Sequence, residues 1–346
     1  FLLTLQVIIY EVTKIIMIKG GVLGMKRLTG LVLALMMVGL MTLPVGAQGY
    51  PTQPITIIVG FGPGGATDVL ARIVAKYSDK YLGQPMVINN MPGANTEISL
   101  VALKKAAPDG YTLGTLNIPH ALSNILMRQT QYAMEDFKYL ANFVVDPGLI
   151  GVRADDDRFK TLDDLIKYAK ANPGKATWAT SGIGSDDHIA ANMFEVATGV
   201  KVRPVPYKSD AEITAAVLGG HVDVGGFNVG NVAEQVLAGK IRALGVMAEK
   251  RYPDLPDVPT VKEQGYDVVS DSSRGIVAPK GIPDEIAQKL GDAFRKISQD
   301  PEFAEDMRKS VQPMDVKILD EYDEYVKVLV KRFTDLYKAN PWGEKK

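Results

Sequence analysis

GFGPGGATD, residues 60–68, is the stretch around which this chain is organised. It follows the short apolar run Ile55–Val59, which is typical of a buried strand, and it leads into a helical pattern of apolar residues over 69–81. The first N–H groups of a helix have no partner inside the helix, and the helix dipole places partial positive charge at that end. Because Gly64 and Gly65 lack a Cβ atom, a ligand could approach the backbone closely. A strand, a glycine turn and a helix start in this order predict a site that holds an anion.

The composition excludes several classes of function. The 346 residues include 39 Lys and Arg against 40 Asp and Glu, so no broad basic surface for nucleic acid is expected. A hydrophobic fraction of 46% suits a globular chain with a full core, and the length suggests about two domains. The absence of cysteine from the sequence excludes disulfides, cysteine-ligated metals, a thiol nucleophile and a cysteine-anchored lipoprotein.

The N-terminal region has the pattern of a secretory signal peptide at residues 25–47. The short basic segment Met25-Lys26-Arg27 precedes an apolar run over 28–43, and small residues at 45–47 resemble a cleavage site. The run is shorter than the roughly 18–20 residues of a spanning helix, which favours cleavage over an uncleaved membrane anchor. Residues 1–24 lie upstream of this complete signal, so we expect them to be a spurious upstream extension, although a real extension stays an alternative.

The rest of the chain alternates strand, turn and helix patterns, which predicts an α/β fold built from parallel βαβ units. The units fall into two blocks, and the second has its own glycine turn, SGIGSDD, at residues 181–187. Strands are predicted at 140–145 and 149–152, with a turn at 146–148 between them. Each block therefore supplies a glycine turn that leads into a helix.

Several motifs together resemble the extracytoplasmic solute receptors of tripartite tricarboxylate transporters, the Bug family. The resemblance covers residues 50 to about 337. It is carried by YPTQPITIIVGFGPGGATDVLAR, NNMPGA, APDGYTLG, ANPGKATWATSGIGS, VPYKSDAEITAAVLGGHVD, AGKIRALGV, LPDVPTVKEQG and GIVAPKGIP. The motifs are weak signals singly, but their order and spacing are highly specific.

The resemblance implies a type II periplasmic binding protein, in which two α/β lobes are joined by two crossing strands and the ligand lies in the cleft between them. Lobe 1 would comprise residues 48–151 plus 275–346, and lobe 2 residues 152–274. The implied function is that of a periplasmic, non-enzymatic receptor, a monomer without cofactor or metal. It would capture a small organic anion such as a di- or tricarboxylate and deliver it to membrane permease subunits.

The resemblance also implies which residues contact the ligand, through backbone amides, small hydroxyl side chains and bridging waters. These are Gly64, Gly65, Ala66, Thr67 and Asp68 of the first turn, Thr180, Ser181, Gly182, Gly184 and Ser185 of the second turn, and Tyr207 and Asn228 elsewhere in the cleft. Arg274 is a further candidate, although it departs from the pattern, since many relatives carry an aromatic residue there and only some carry arginine.

Five of these residues have a purely structural alternative. Asp68 could order a water or a ligand donor, or only stabilise the dipole of its own helix. Ser185 could be a helix N-cap, which is compatible with ligand binding. Asn228 could be a turn residue, and Tyr207 a packed aromatic at a strand end. Arg274 could pair with a ligand carboxylate, or it could be a solvated hinge arginine or form a salt bridge between the lobes.

Two other functions stay open. The receptor could serve a sensor kinase rather than uptake. More distantly, Gly60, Gly62 and Gly65 match the spacing of a dinucleotide-binding enzyme, but that signal is weak alone and no acidic residue follows the second strand in the expected way. The sequence has no G-x-S-x-G elbow and no phosphate-loop lysine. The three histidines are far apart in sequence, which argues against a metal site.

Overall fold

A computed structural model describes residues 49–343 of the chain. The predicted upstream extension and signal peptide lie outside these residues. No helix within the described range is both long and apolar enough to cross a lipid bilayer.

The first part of the described chain contains four strands and three α-helices. In chain order they are β1 (Ile55–Val59), α1 (Ala66–Leu82), β2 (Met86–Asn90), α2 (Glu97–Lys104), β3 (Thr112–Ile118), α3 (His120–Met127) and β4 (Phe137–Arg153).

The second part continues the alternation of helix and strand and ends in a helical region. Its elements are α4 (Leu162–Ala171), β5 (Thr177–Thr180), α5 (Asp186–Thr198), β6 (Arg203–Pro206), α6 (Asp210–Leu218), β7 (Val224–Asn228), α7 (Val229–Leu237), β8 (Ile241–Met247), β9 (Asp271–Pro279), α8 (Asp284–Ser298), α9 (Pro301–Lys309), β10 (Met314–Ile318) and α10 (Asp320–Ala339).

The strands follow the order β2-β1-β3-β9-β4-β7-β5-β6, and β8 and β10 also pair with β4. Strand β1 is parallel to β2 and β3, and β5 is parallel to β6 and β7, as the βαβ pattern predicts. The central strands β4 and β9 are instead antiparallel to their neighbours. The result is the two-lobe fold of type II periplasmic binding proteins, in which β4 and β9 are the crossing strands.

Strand β4 contributes to both lobes. Its first part pairs with β9 and β10, and its last part, from Gly148, pairs with β7 and β8. The predicted turn at 146–148 is therefore wrong, because Asp146 and Pro147 lie within a continuous strand opposite Ser272 and Asp271. Proline keeps an extended backbone angle, so pairing with β9 can hold the segment straight through Pro147. The exact lobe boundaries, 151 and 274, stay a prediction.

The helix pattern after the first glycine turn is confirmed. Helix α1 begins at Ala66, and its apolar stripe includes the buried side chains of Leu70, Ile73, Val74 and Tyr77. Each such residue contributes on the order of 1.5–3 kcal/mol by leaving water. This packing fixes the helix axis, so the N-terminus of α1 is held rigidly at the end of β1.

The two lobes have different apolar clusters, although Ile189 of α5 belongs to the cluster near β3 and α10. One cluster surrounds Trp178 and Phe194 beneath α4 and α5, and another contains Leu116, Ile118 and Tyr322 near β3 and α10. Aromatic pairing adds to burial, since the rings of Trp178 and Phe194 lie 5.4 Å apart. Each lobe is thus a rigid support for the loops at its strand ends.

Candidate ligand-binding cleft

A cleft of about 600 Å³ lies where the two glycine turns and the crossing strands meet. Seven of the predicted ligand-binding residues line it, namely Gly64, Gly65, Ala66, Thr67, Ser181, Asn228 and Arg274. The structure places the other six predicted residues outside this lining, namely Asp68, Thr180, Gly182, Gly184, Ser185 and Tyr207.

The first turn presents an open helix start to the cleft. Gly65 is the N-cap of α1, and its position makes no side-chain cap hydrogen bond within the described chain. Gly64 has φ +82°, which favours glycine, and a Cβ atom at Gly65 would meet only the Gly62 carbonyl oxygen, at 3.6 Å. The first-turn amides of Ala66 and Thr67 have no partner within the helix, so they are available to an anion.

Asp68 lies behind this turn rather than on the cleft surface. Its side chain is buried, and its carboxylate accepts hydrogen bonds from the Gly64 amide at 2.8 Å, Arg72 Nε at 2.9 Å and Asn90 Nδ2 at 2.8 Å. Burial alone would raise the pKa of Asp68, but these donors and the charge of Arg72 hold it below its ordinary value. Asp68 therefore holds the turn as an anion, and its direct contact with a ligand stays a prediction.

Thr67 faces the cleft from the first turn of α1. Its hydroxyl accepts a hydrogen bond from Asn117 Nδ2 at 2.8 Å, and Asn117 is a cleft residue that the sequence analysis missed. Gln312, from the segment before β10, also lines the cleft and donates to the Ala66 carbonyl at 3.4 Å. Strand β3 and the C-terminal region thus both support the turn.

In the second turn, Ser181 reaches the cleft. Its amide and hydroxyl both donate to Asp187 Oδ2, at 3.1 and 2.7 Å. Burial and the charges of Asp186 and Asp210 raise the pKa of Asp187 well above its ordinary value. The Asp187 carboxyl group therefore accepts hydrogen bonds from the second turn, as Asp68 does from the first.

Several other residues of the second turn make structural contacts, and ligand contact by Thr180, Gly182, Gly184 and Ser185 stays a prediction. Ser185 caps α5, since its hydroxyl accepts from the His188 amide at 3.2 Å, and this confirms the N-cap interpretation. The Gly184 amide donates to His188 Nδ1 at 3.1 Å. Burial lowers the pKa of His188, so its neutral ring can accept this bond, and His188 thereby supports the loop. Thr180 is buried in β5, and Gly182 has a positive φ of 122°.

Arg274 and Asn228 belong to a buried network around Asp146. Arg274 Nη1 donates to Asp146 Oδ2 at 2.8 Å, and Arg274 Nη2 to Asn228 Oδ1 at 3.3 Å. Asp146 Oδ1 accepts from the Gly230 amide in the first turn of α7 at 3.0 Å. Burial raises the pKa of Asp146, and the charge of Arg274 and the Gly230 amide oppose that rise. The Asp146 carboxylate therefore occupies one guanidinium nitrogen of Arg274 and the Gly230 amide at the start of α7.

Tyr207 is partly buried and packs against an apolar cluster that includes Ile213, Val217 and Phe227. Its amide donates to the Thr180 carbonyl at 2.8 Å. This placement agrees with the packed-aromatic alternative, and ligand contact by Tyr207 stays a prediction.

The cleft also contains charged residues that the sequence analysis did not select. Asp186 and Asp210 are the first residues of α5 and α6, and Lys208 precedes α6. His120, the first residue of α3, faces Asp186 with 3.6 Å between Nε2 and Oδ1. Burial and the charge of Asp186 raise the pKa of Asp210 to about 6. The position of Asp186 at the end of the glycine turn could have indicated a cleft residue. An acidic residue there is, however, also common at the start of a helix.

Within residues 49–343, no group of three or more His, Asp or Glu side chains is arranged to hold a metal ion. The donors in the cleft are amides, hydroxyls and two cations, so the arrangement can bind an anion by hydrogen bonds.

Comparison with known proteins is consistent with this geometry. Residues 70–338 match the family described as "Tripartite tricarboxylate transporter family receptor". Protein BugT of Bordetella pertussis is 36% identical over 246 residues, which cover 70% of this chain and 76% of that protein. An R. palustris protein solved with adipate has a TM-score of 0.78 and 28% identity, covering 85% of this chain and 99% of that one. MatC from Rhodopseudomonas palustris, solved with bound malate, has a TM-score of 0.74 and 25% identity, covering 83% and 99%.

Proposed function

The chain belongs to the Bug family of tripartite tricarboxylate transporter receptors, and we propose that it is a periplasmic receptor for a small carboxylate. In this proposal it captures the ligand outside the cytoplasmic membrane and delivers it to the membrane permease subunits of such a transporter. It binds without transforming the ligand, as a monomer that needs no cofactor.

The uncapped N-terminus of α1 carries the proposal. Gly65, Ala66 and Thr67 line the cleft, and the first-turn amides of this helix have no intrahelical partner. Partial positive charge at a helix start favours a carboxylate there. The buried Asp68 accepts a hydrogen bond from the Gly64 amide and so fixes the turn, which sets the amide geometry before a ligand arrives.

Two structural relatives support the choice of ligand class. One was solved with adipate and the other with malate, and both of these ligands are carboxylates. Hydrogen bonds to a charged group contribute about 1.5–3 kcal/mol each. A few of them suffice for roughly micromolar binding, near −8 kcal/mol, after the costs of association and lobe closure. Closure about β4 and β9 would let a permease distinguish the liganded receptor from the free one.

A thermal-shift screen that compares carboxylic acids with their neutral amides tests this proposal. A carboxylate present at about a hundred times its Kd should stabilise the receptor by about 2.7 kcal/mol, which raises Tm by several degrees, whereas the matching amide should not. Uptake into vesicles that contain the permease subunits should then require the receptor. Failure of every carboxylate to raise Tm would contradict the proposal.

A further inference from the structure

Asp186 has a carboxylate oxygen without a hydrogen-bond partner in the described chain. Its side chain is 4% exposed, and it lines the cleft. Oδ1 lies 3.6 Å from His120 Nε2, which is too long for a hydrogen bond, and Oδ2 has no donor among residues 49–343. Because a carboxylate can only accept, its buried oxygen needs a donor that a ligand could bring.

His120 does not neutralise this carboxylate. Burial lowers the pKa of His120 below its ordinary value, and the charge of Arg274 acts in the same direction against the opposing effect of Asp186. The imidazole is therefore neutral near pH 7. Asp186 is the first residue of α5, where the partial positive charge of the helix start favours an acidic side chain.

A second carboxylate, that of Asp210, lines the same side of the cleft at the start of α6. Asp210 interacts electrostatically with Asp186, Asp146 and Arg274. Because Arg274 is paired with Asp146, those two charges cancel. The charged side chains that remain in this part of the cleft are the two acids Asp186 and Asp210 and one base, Lys208, which is exposed at the cleft surface. A ligand with only negative charges would enter a region that already has an excess of acid.

Other acceptors in the cleft agree with this pattern. Asn117 and Gln312 each have a buried amide oxygen without a donor in the described chain. An amide can be turned over so that its nitrogen takes the place of its oxygen, so these two residues only support the inference. The inference depends on Asp186, because a carboxylate has two oxygens and no nitrogen that could take the place of the unpaired oxygen.

We propose that Asp186 and Asp210 bind a protonated nitrogen of the ligand, so that the ligand is an amino-carboxylic acid. Its carboxylate lies at the start of α1, and its ammonium group lies at the starts of α5 and α6. This inference rests on the proposed function, because the carboxylate end is taken from it. An ammonium group supplies three donors and a positive charge, whereas a hydroxyl supplies one donor and leaves the acidic excess in place.

Matched ligand triplets test the inference by isothermal titration of the dialysed protein at about pH 7. Within each triplet one carbon carries hydrogen, hydroxyl or ammonium: propionate, lactate and alanine; succinate, malate and aspartate; glutarate, 2-hydroxyglutarate and glutamate. Butyrate and 4-aminobutyrate extend the series to a distal nitrogen. In at least one series the ammonium member should bind about tenfold or more tightly than its hydrogen analogue.

Asp186→Asn should reduce that preference to about twofold or less, because it weakens binding of the ammonium member and removes a negative charge that disfavours the hydrogen analogue. Asp163→Asn is the matched control, because Asp163 is an exposed acidic residue in the first turn of α4 and does not line the cleft. It should keep the full preference. Melting of each unliganded variant would show that it is folded.

The outcomes separate the two proposals. Binding of the hydrogen and hydroxyl members without any preference for ammonium would overturn the inference and leave the proposed function standing. Survival of the preference in Asp186→Asn would overturn it as well. Failure of every member to bind would contradict the carboxylate receptor itself, and with it the inference.

Discussion

Arg274 of β9 and Asp146 of β4 form a buried ion pair across the two crossing strands, with 2.8 Å between Nη1 and Oδ2. Both side chains are almost completely inaccessible, at 3% and 0% exposure. Asp146 also accepts from the first turn of α7, so the pair ties the crossing strands to the second lobe. This placement favours the structural alternative for Arg274, a salt bridge at the junction of the lobes.

Removal of one partner of this pair should be strongly destabilising. Arg274→Ala leaves the Asp146 carboxylate buried without its countercharge, and we expect the free energy of unfolding to fall by about 3–5 kcal/mol. The double variant Asp146→Asn with Arg274→Met removes both charges and should recover a large part of that loss. Urea denaturation measures both values. Unchanged stability in Arg274→Ala, combined with loss of binding for ligands with two or more carboxylates, would instead assign Arg274 to the ligand.

Asp68 should stabilise the first turn by more than its ion pair with Arg72 accounts for. Asp68→Ala removes the acceptor of Gly64, Arg72 and Asn90, and we expect a loss of about 1–3 kcal/mol in stability together with weaker ligand binding. Arg72→Ala is the control, because Arg72 is 53% exposed and an exposed pair contributes about 0–1 kcal/mol. Equal losses of binding in the two variants would contradict a specific role for the bond between Asp68 and Gly64.

The unliganded protein should lose stability as pH rises from about 4 to about 6 through the effect of Asp210. Its folded-state pKa is raised to about 6, so over this range the folded protein holds a proton that the unfolded chain has released. Asp210→Asn removes this dependence and should raise unfolding free energy near pH 7 by roughly 2 kcal/mol, with little effect below pH 4. Denaturation of both proteins across this pH range checks the sign. An equal effect of the substitution at pH 4 and pH 7 would contradict a raised pKa.

Local sequence signals predicted the elements well. The pattern Thr-x-x-Asp at residues 161–164 is a local signal for a helix start, and in the structure it caps α4 at Leu162–Ala171. Helix α3 was missed because its N-cap position holds Pro119 rather than Ser, Thr, Asp or Asn. Strand β4 was divided in two because Pro147 and Gly148 usually mark a turn, and only pairing with distant β9 shows that the chain continues straight.

The site was predictable to the extent that it depends on the local backbone. The turn from Gly64 to Thr67 combines a strand end, glycine and a helix start, which are neighbours in sequence. The contacts of Arg274 with Asp146 and of Asp186 with His120 join residues of different elements, so no local pattern indicates them. The sequence also indicated Asp68 as a ligand contact. In the structure its carboxylate accepts hydrogen bonds from groups behind the turn, including Asn90 of β2, and no local pattern indicates this bond.

The central proposal, that the open start of α1 holds the carboxylate, is tested most directly by calorimetric titration of Gly65→Val. The backbone at Gly65 is extended, with φ −74° and ψ 162°, so valine fits the conformation while its side chain obstructs the cleft at the first-turn amides. Thr161→Val is the control, because it alters the N-cap of α4 and should cost about 1 kcal/mol of stability without changing affinity. We expect Gly65→Val to remain folded and to bind the best carboxylate of the screen about a hundredfold more weakly or not at all. Wild-type affinity in folded Gly65→Val would show that the carboxylate lies elsewhere.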